Sequence, residues 1–171
     1  MSICKQIKIL VENQRNILIL LILISLFSLG LAFFTEYVLG FPPCKLCIYQ
    51  RWPYVFLAII ALANLTRVAN NKITNLLIIV TISAAISIAG YHTGVERGLF
   101  EASATCNPDV KLSAATTDND FLQMLEDKPI ASCAKAPFKV LYLSMTEWNL
   151  LFNLALLSAY LLLMKCRYAK T

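Results

Sequence analysis

The stretch Pro42-Pro43-Cys44-Lys45-Leu46-Cys47-Ile48-Tyr49-Gln50-Arg51-Trp52-Pro53-Tyr54 decides how the chain is read. Two cysteines separated by two residues open an apolar segment, and Arg51 follows Cys47 by one helical turn. The segment is free of charge only from Trp52 to Thr66. Those roughly 15 residues make about 22 Å of helix, short of the ~30 Å of a bilayer's hydrocarbon. A spanning helix must therefore begin earlier, near Cys47, and this draws Gln50 and Arg51 into the membrane boundary. Arginine is costly deep in lipid and is held there by a function or a partner. Pro53 then falls in the first turns of the helix, where proline is tolerated.

Outward from this stretch, three more apolar blocks have the length of a membrane span. The first runs from Asn16 to Thr35 between Arg15 and Glu36, with no small-x-small cleavage site before Glu36, so a retained helix is expected rather than a signal peptide. The third runs from Ile73 to Val95 and ends in Gly90-Tyr91-His92-Thr93-Gly94, an aromatic and polar flank suited to an interface. The fourth runs from Trp148 to Met164 and needs a start near Ser144 to be long enough. Across all 171 residues, 58% are hydrophobic and only 15% charged, against about 25% charged in soluble domains. The expected fold is all-α: a four-helix transmembrane bundle forming a single unit over residues 1–171, with helices near 16–35, 47–66, 73–95 and 144–164.

Charge orients the bundle. Lys5, Lys8, Arg15, Arg67, Lys72, Lys165, Arg167 and Lys170 flank the spans on one side, with Glu12 the one acid among them. Glu36, Glu96, Glu101, Asp109, Asp118, Asp120, Glu126, Asp127 and Glu147 lie on the other. The positive-inside rule then places both termini in the cytoplasm, with a short outer loop near 36–46 and a long one near 96–143. The net charge of +5 is spread over segment ends, so nucleic acid is not an expected partner. In the long loop, Phe121-Leu122-Gln123-Met124-Leu125 suits either a short surface helix or a packed turn. No phosphate loop, metalloprotease pattern or internal repeat is present.

This topology puts Cys44, Cys47, Cys106 and Cys133 on the oxidising side. Cys4 and Cys166 fall on the reducing side, where they are expected to be free thiols without a role. Cys44 and Cys47 can bridge locally, as reactive Cys-x-x-Cys pairs do. Cys106 and Cys133 would close a loop of about 27 residues. Three readings are open: a redox relay, structural staples, or a metal-ligand cysteine set. Position favours redox, because a helix amino terminus and a nearby cation both favour a thiolate at Cys47. Arg51 shares that helical face and could polarise the carbonyl of a flat lipophilic acceptor; the plainer alternative is a snorkelling interface residue. His92, the one histidine, is a candidate proton carrier or a helix-end packing residue.

Pro-Cys-Lys-Leu-Cys-x-x-Gln-Arg at 43–51, Tyr91-His92-x-Gly94-x-Glu96, Ala104-Thr105-Cys106, Ser132-Cys133 and Leu143-Ser144-Met145-x-x-Trp148-Asn149 occur in this order. Together they closely resemble the DsbB family, bacterial inner-membrane proteins that reoxidise the periplasmic dithiol oxidase DsbA and pass electrons to quinone. The resemblance implies catalytic roles for Cys44, Cys47, Cys106 and Cys133. Cys106 would form the mixed disulfide with a DsbA-type partner, and Cys133 would hand reducing equivalents to Cys44. Cys47 would face the quinone, with Arg51 holding its oxygen and His92 nearby. Ubiquinone is the expected cofactor, with menaquinone the other possibility, and no metal is expected. Gln50 fits the motif but receives no step. Two departures stand out: Tyr142, where the family usually has glycine, and Arg97, where an apolar or aromatic residue is frequent. The first is expected to alter packing at the start of the last helix.

Overall fold

The structure, a computed structural model, describes residues 14–66, 71–101, 106, 131–134 and 139–168. Among the described residues are four long helices: α1 (Gln14–Tyr37), α2 (Lys45–Thr66), α3 (Asn71–Glu96) and α4 (Met145–Tyr168). Each is long and apolar enough to cross a membrane. A two-residue antiparallel ladder, β1 (Lys139–Val140) with β2 (Leu143–Ser144), leads directly into α4. The segment around Phe121 lies outside the described residues.

Sequence neighbours pack together: α1 on α2, α2 on α3, and α3 on α4. All four helices feed one core, built from Leu18 and Leu21, Leu57 and Ala61, Ile78 and Ile82, and Tyr160. Tyr160 also donates its hydroxyl to Asn75 Oδ1 at 2.9 Å, so its polar end is satisfied within the core. Leu23, Phe27, Leu76 and Leu162 face outward, as side chains turned toward lipid do.

Each helix near the site starts for an identifiable local reason. α2 begins at Lys45, two residues before the expected start, because Cys44 caps it. The Cys44 carbonyl accepts from Ile48 N–H at 3.2 Å and its sulfur accepts from Cys47 N–H at 3.2 Å. These are the two bonds of an N-cap residue, with sulfur in the place of the usual side-chain oxygen. Pro53 is consequently the ninth helical residue rather than one of the first, and the helix continues through it. α4 opens with a capping box: Ser144 Oγ accepts from Glu147 N–H at 3.1 Å, and Glu147 Oε2 accepts from Ser144 N–H at 2.8 Å. The Arg97 guanidinium forks onto Glu147 Oε1, with the Nε bond at 2.8 Å, and ties the end of α3 to the start of α4.

Two expectations need correction. Cys166 is disulfide-bonded, not a free thiol, with its partner outside the described residues. Compartment speaks to redox poise and says nothing about which sulfurs the fold brings close. Tyr142 does not act through helix packing: it is almost wholly exposed at 96%, and its peculiarity is a φ of +69°, with Leu141 before it at +50°. The turn between β1 and β2 thus holds two consecutive left-handed residues, a conformation that favours glycine.

Candidate functional site

Because Cys44 occupies the cap of α2 and Cys47 its third helical position, both sulfurs sit at the helix amino terminus, where the peptide dipoles favour negative charge. Cys44 Sγ lies 2.9 Å from Cys47 Sγ and donates to it. That donated bond, and then burial, hold the Cys44 thiol well above its ordinary range. Cys44, Cys47, Cys106 and Cys133 are all unpaired in disulfides; Cys44, Cys106 and Cys133 gather in one buried cluster with Leu46 and Val95, and the partly buried Cys47 packs against it.

Cys133 stands between the two pairs. Its backbone N–H donates to the Cys106 carbonyl at 3.1 Å, and its sulfur is in hydrogen-bonding contact with Cys106, with the backbone of Leu46 and with Cys44. Burial pushes the Cys133 thiol up, helped by the Cys106 thiol, to about 11. The spatial order is therefore Cys106, Cys133, Cys44, Cys47.

Beside Cys47 opens a largely apolar cavity of about 370 Å³ between α1, α2 and α4. Phe27, Phe41, Trp148 and Phe152 supply aromatic walls, and Cys47, Gln50 and Arg51 are among its polar lining. This is the size and character of a small-molecule site: mostly apolar, with a few placed polar groups. Arg51 is clamped from α1. Its Nη1 donates to Glu36 Oε2 at 2.6 Å, its Nη2 reaches the Ala32 carbonyl at 3.5 Å, and its guanidinium lies 5.0 Å from the Phe33 ring centre.

Behind the dithiol, the fully buried His92 faces Cys44 Sγ with Nε2 at 3.5 Å and Gln50 Nε2 with Nδ1 at 2.9 Å. Thr146 Oγ1 lies 3.2 Å from Nδ1 and donates to Glu96 Oε1 at 2.9 Å, while Ser144 Oγ donates to Glu96 Oε2 at 2.5 Å. Cys44, Cys47 and His92 offer three ligand atoms within 4.8 Å of one another, so a thiophilic metal ion is geometrically conceivable there. Gly94 keeps the end of α3 compact: a Cβ there would collide with the Phe100 ring, which stacks on Tyr91 with centroids 5.7 Å apart.

The structure thus brings together every residue singled out from the sequence: Cys44, Cys47, Cys106, Cys133, Arg51 and His92. Sequence reasoning missed Glu36, Tyr54, Asn153 and Thr146, and it took Asn149 only as part of a motif. Asn149 and Asn153 did carry a signal, since polar side chains four residues apart share one face of an otherwise apolar span.

Comparison with known proteins points to one family. The family model of disulfide bond formation protein DsbB matches residues 14–163. An uncharacterized protein of Rickettsia prowazekii (strain Madrid E) is 40% identical over 146 residues, covering 85% of each chain. Disulfide bond formation protein B of Marinobacter nauticus is 27% identical over 162 residues, covering 92% of this chain and 95% of its own. Disulfide bond formation protein B 1 of Pseudomonas savastanoi pv. phaseolicola is 35% identical over 101 residues, 58% of each chain. No solved structure matches significantly. With the family model covering three helices, most of the fourth and the cysteine cluster, the chain belongs to the DsbB family of disulfide bond formation proteins.

Proposed function

We propose that the protein is a membrane thiol:quinone oxidoreductase of the bacterial inner membrane, with both termini cytoplasmic and its active cysteines on the periplasmic side. It reoxidises a periplasmic thioredoxin-fold oxidase of the DsbA type. The observation that carries the reading is the place of Cys133, whose sulfur touches Cys106 on one side and Cys44 on the other. A staple needs two sulfurs near each other; a relay needs the pairs to meet.

The steps follow that order. A thiolate of the reduced partner attacks Cys106 in the Cys106–Cys133 disulfide, forming a mixed disulfide and releasing Cys133. The partner's second thiolate then displaces Cys106 and leaves oxidised. Cys133 attacks Cys44 in the Cys44–Cys47 disulfide and releases Cys47 as a thiolate beside the cavity. Cys106 next resolves the Cys133–Cys44 bond, restoring the outer disulfide and leaving the Cys44–Cys47 dithiol. A bound quinone supplies an acceptor for that dithiol's two electrons and two protons, so the net change is partner dithiol plus quinone to partner disulfide plus quinol. The largely apolar cavity lined by Cys47 and Arg51 supports this reading. Arg51 holds the carbonyl oxygen, and the helix terminus and the Cys44 donor favour Cys47 as thiolate. Ubiquinone is the proposed acceptor, with menaquinone as the alternative.

The compact Cys44–Cys47–His92 set favours, as a second reading, a non-catalytic tetraspan protein with a metal-ligand or stapling cysteine set. Trapping separates the two. A DsbA-type partner lacking its resolving cysteine should form a covalent adduct with this protein, lost in Cys106→Ser. Absence of an adduct, together with quinone reduction undiminished in Cys47→Ser, would sink the redox reading.

A further inference from the structure

The polar groups behind the dithiol form one continuous chain whose hydrogen-bond directions are fixed from one end. Asn153 Nδ2 lies 2.8 Å from the backbone carbonyl of Asn149. A carbonyl only accepts, so the Asn153 side chain must present its amide nitrogen there. The same nitrogen is 3.0 Å from Asn149 Oδ1 and 2.9 Å from the Tyr54 hydroxyl, and Tyr54 in turn donates to Asn149 Oδ1 at 2.5 Å. With its oxygen committed to these two donors, Asn149 turns Nδ2 to Gln50, donating to Oε1 at 2.8 Å. Gln50 is then left with Nε2 toward His92 Nδ1, at 2.9 Å. Gln50, His92, Tyr54 and Asn153 are all buried, and an unsatisfied group there costs roughly 1–3 kcal/mol.

We infer that Gln50 and Asn149 are positioning residues that hold His92 as the Nε2–H tautomer, with its N–H directed at Cys44. An Nδ1 that accepts from Gln50 cannot carry the proton of a neutral ring, which leaves the donor on Nε2. The other face of the ring suits a donor. Cys44 Sγ, 3.5 Å from Nε2, has sent its own proton toward Cys47 and has lone pairs free. Glu96 Oε1, 3.7 Å from Nε2, and the Cys133 backbone carbonyl are acceptors as well. Thr146 Oγ1 gives its proton to Glu96 and so turns a lone pair toward Nδ1 at 3.2 Å, which by itself favours a proton there; the shorter 2.9 Å bond from the Gln50 amide nitrogen outweighs it. In this arrangement His92 offers Cys44 a proton donor and no basic lone pair: it supports a thiolate leaving from Cys44 and does not deprotonate a Cys44 thiol. This gives Gln50 a task in the motif. The inference rests on the redox reading of Cys44 for its meaning, but the tautomer itself can be tested without turnover.

The chain contains one histidine, so protein labelled with ¹⁵N-histidine yields a single pair of ring-nitrogen signals. Long-range ¹H–¹⁵N correlation on the reduced, detergent-solubilised protein should show a neutral ring protonated on Nε2. Two isosteric changes should then move the proton. Gln50→Glu puts an acceptor against Nδ1 and should place a proton on that nitrogen. Asn149→Asp, one residue further back, faces the Gln50 oxygen with a carboxylate and forces the Gln50 amide to turn over. It should convert the ring from predominantly Nε2–H to predominantly Nδ1–H without touching it. A ring protonated on Nδ1 in the parent protein overturns the inference. So does an Nδ1 that stays unprotonated in both variants while their helical circular dichroism matches the parent. Quinone reduction that depends on Cys47 beside an unmoved tautomer would remove this inference alone, whereas a parent protein that forms no adduct and reduces quinone without Cys47 would remove the redox reading.

Discussion

Arg51 Nη1 donates to Glu36 Oε2 at 2.6 Å, so the cation that lines the cavity is held by the last turn of a neighbouring helix. Both side chains are about four-fifths buried, at 17% and 22% exposure. A charged group removed that far from water costs several kcal/mol unless it is paired, and the Ala32 carbonyl and the Phe33 ring complete the clamp. Glu36 thereby fixes where the guanidinium points, and it joins α1 to α2 at the site.

The clamp makes lysine a poor replacement. An ammonium is a point charge and cannot hold a carboxylate, a backbone carbonyl and an aromatic face as a planar fork does. Arg51→Lys should raise the apparent quinone KM by about tenfold, the equivalent of one charge-assisted hydrogen bond of about 1.4 kcal/mol. Glu36→Gln, which keeps the shape and removes the charge, should raise it in the same direction by a smaller factor. Steady-state quinone bleaching with a reduced thioredoxin-fold partner measures both. An unchanged KM in Arg51→Lys would show that the clamp has no bearing on the acceptor.

The turn at Leu141 and Tyr142 leads to a stability prediction. Left-handed backbone costs a residue with a Cβ roughly 1–2 kcal/mol, and at 96% exposure the Tyr142 ring recovers almost nothing by packing. Tyr142→Gly should therefore stabilise the protein by about 1 kcal/mol, read as a higher midpoint of thermal unfolding in detergent, with quinone reduction unaffected. Tyr142→Ala removes the ring and keeps the strain, so it should leave the midpoint near that of the parent. If Tyr142→Gly lowered the midpoint, the exposed ring would be making a stabilising contact of its own.

That turn also shows where sequence reading stopped. The four spans were legible because hydropathy over about 20 residues is a bulk property of a segment. The early start of α2 followed from its length, and only the capping role of Cys44, a matter of backbone geometry, displaced it by two residues. That Cys44, Cys47 and Arg51 stand together at the start of a helix was legible from their spacing and from the length of the span. Glu36 was visible only as a charge on one side of the membrane, because its partner lies 15 residues away on another helix. Tyr142 was noticed as a missing glycine, but the reason glycine suits the position is a φ angle, which one residue type does not reveal. The directional chain from Asn153 to His92 needs three helices in register, and periodicity within any one of them says nothing about it.

The raised pKa of Cys133 sets the pH dependence of the step between the two pairs. Exchange proceeds through the thiolate, and with the Cys133 thiol at about 11 its thiolate fraction grows tenfold per pH unit up to that value. An ordinary thiol near 8.5 would instead level off by about pH 9. Transfer from reduced Cys106 and Cys133 to the Cys44–Cys47 disulfide, followed by rapid quench and thiol alkylation without quinone, should accelerate log-linearly from about pH 7 through pH 9. Stability shifts with the same group. A folded pKa above the unfolded one means that the native state binds the proton more tightly. The contribution is complete below the unfolded value of about 8.5 and disappears as pH rises toward 11. The fully reduced protein should therefore lose stability over that alkaline window, while protein with Cys133 locked in a disulfide has no thiol to ionise and should not show this loss. A rate that levels off near pH 8.5, or equal alkaline losses in the two redox states, would mean that burial does not hold the proton on Cys133.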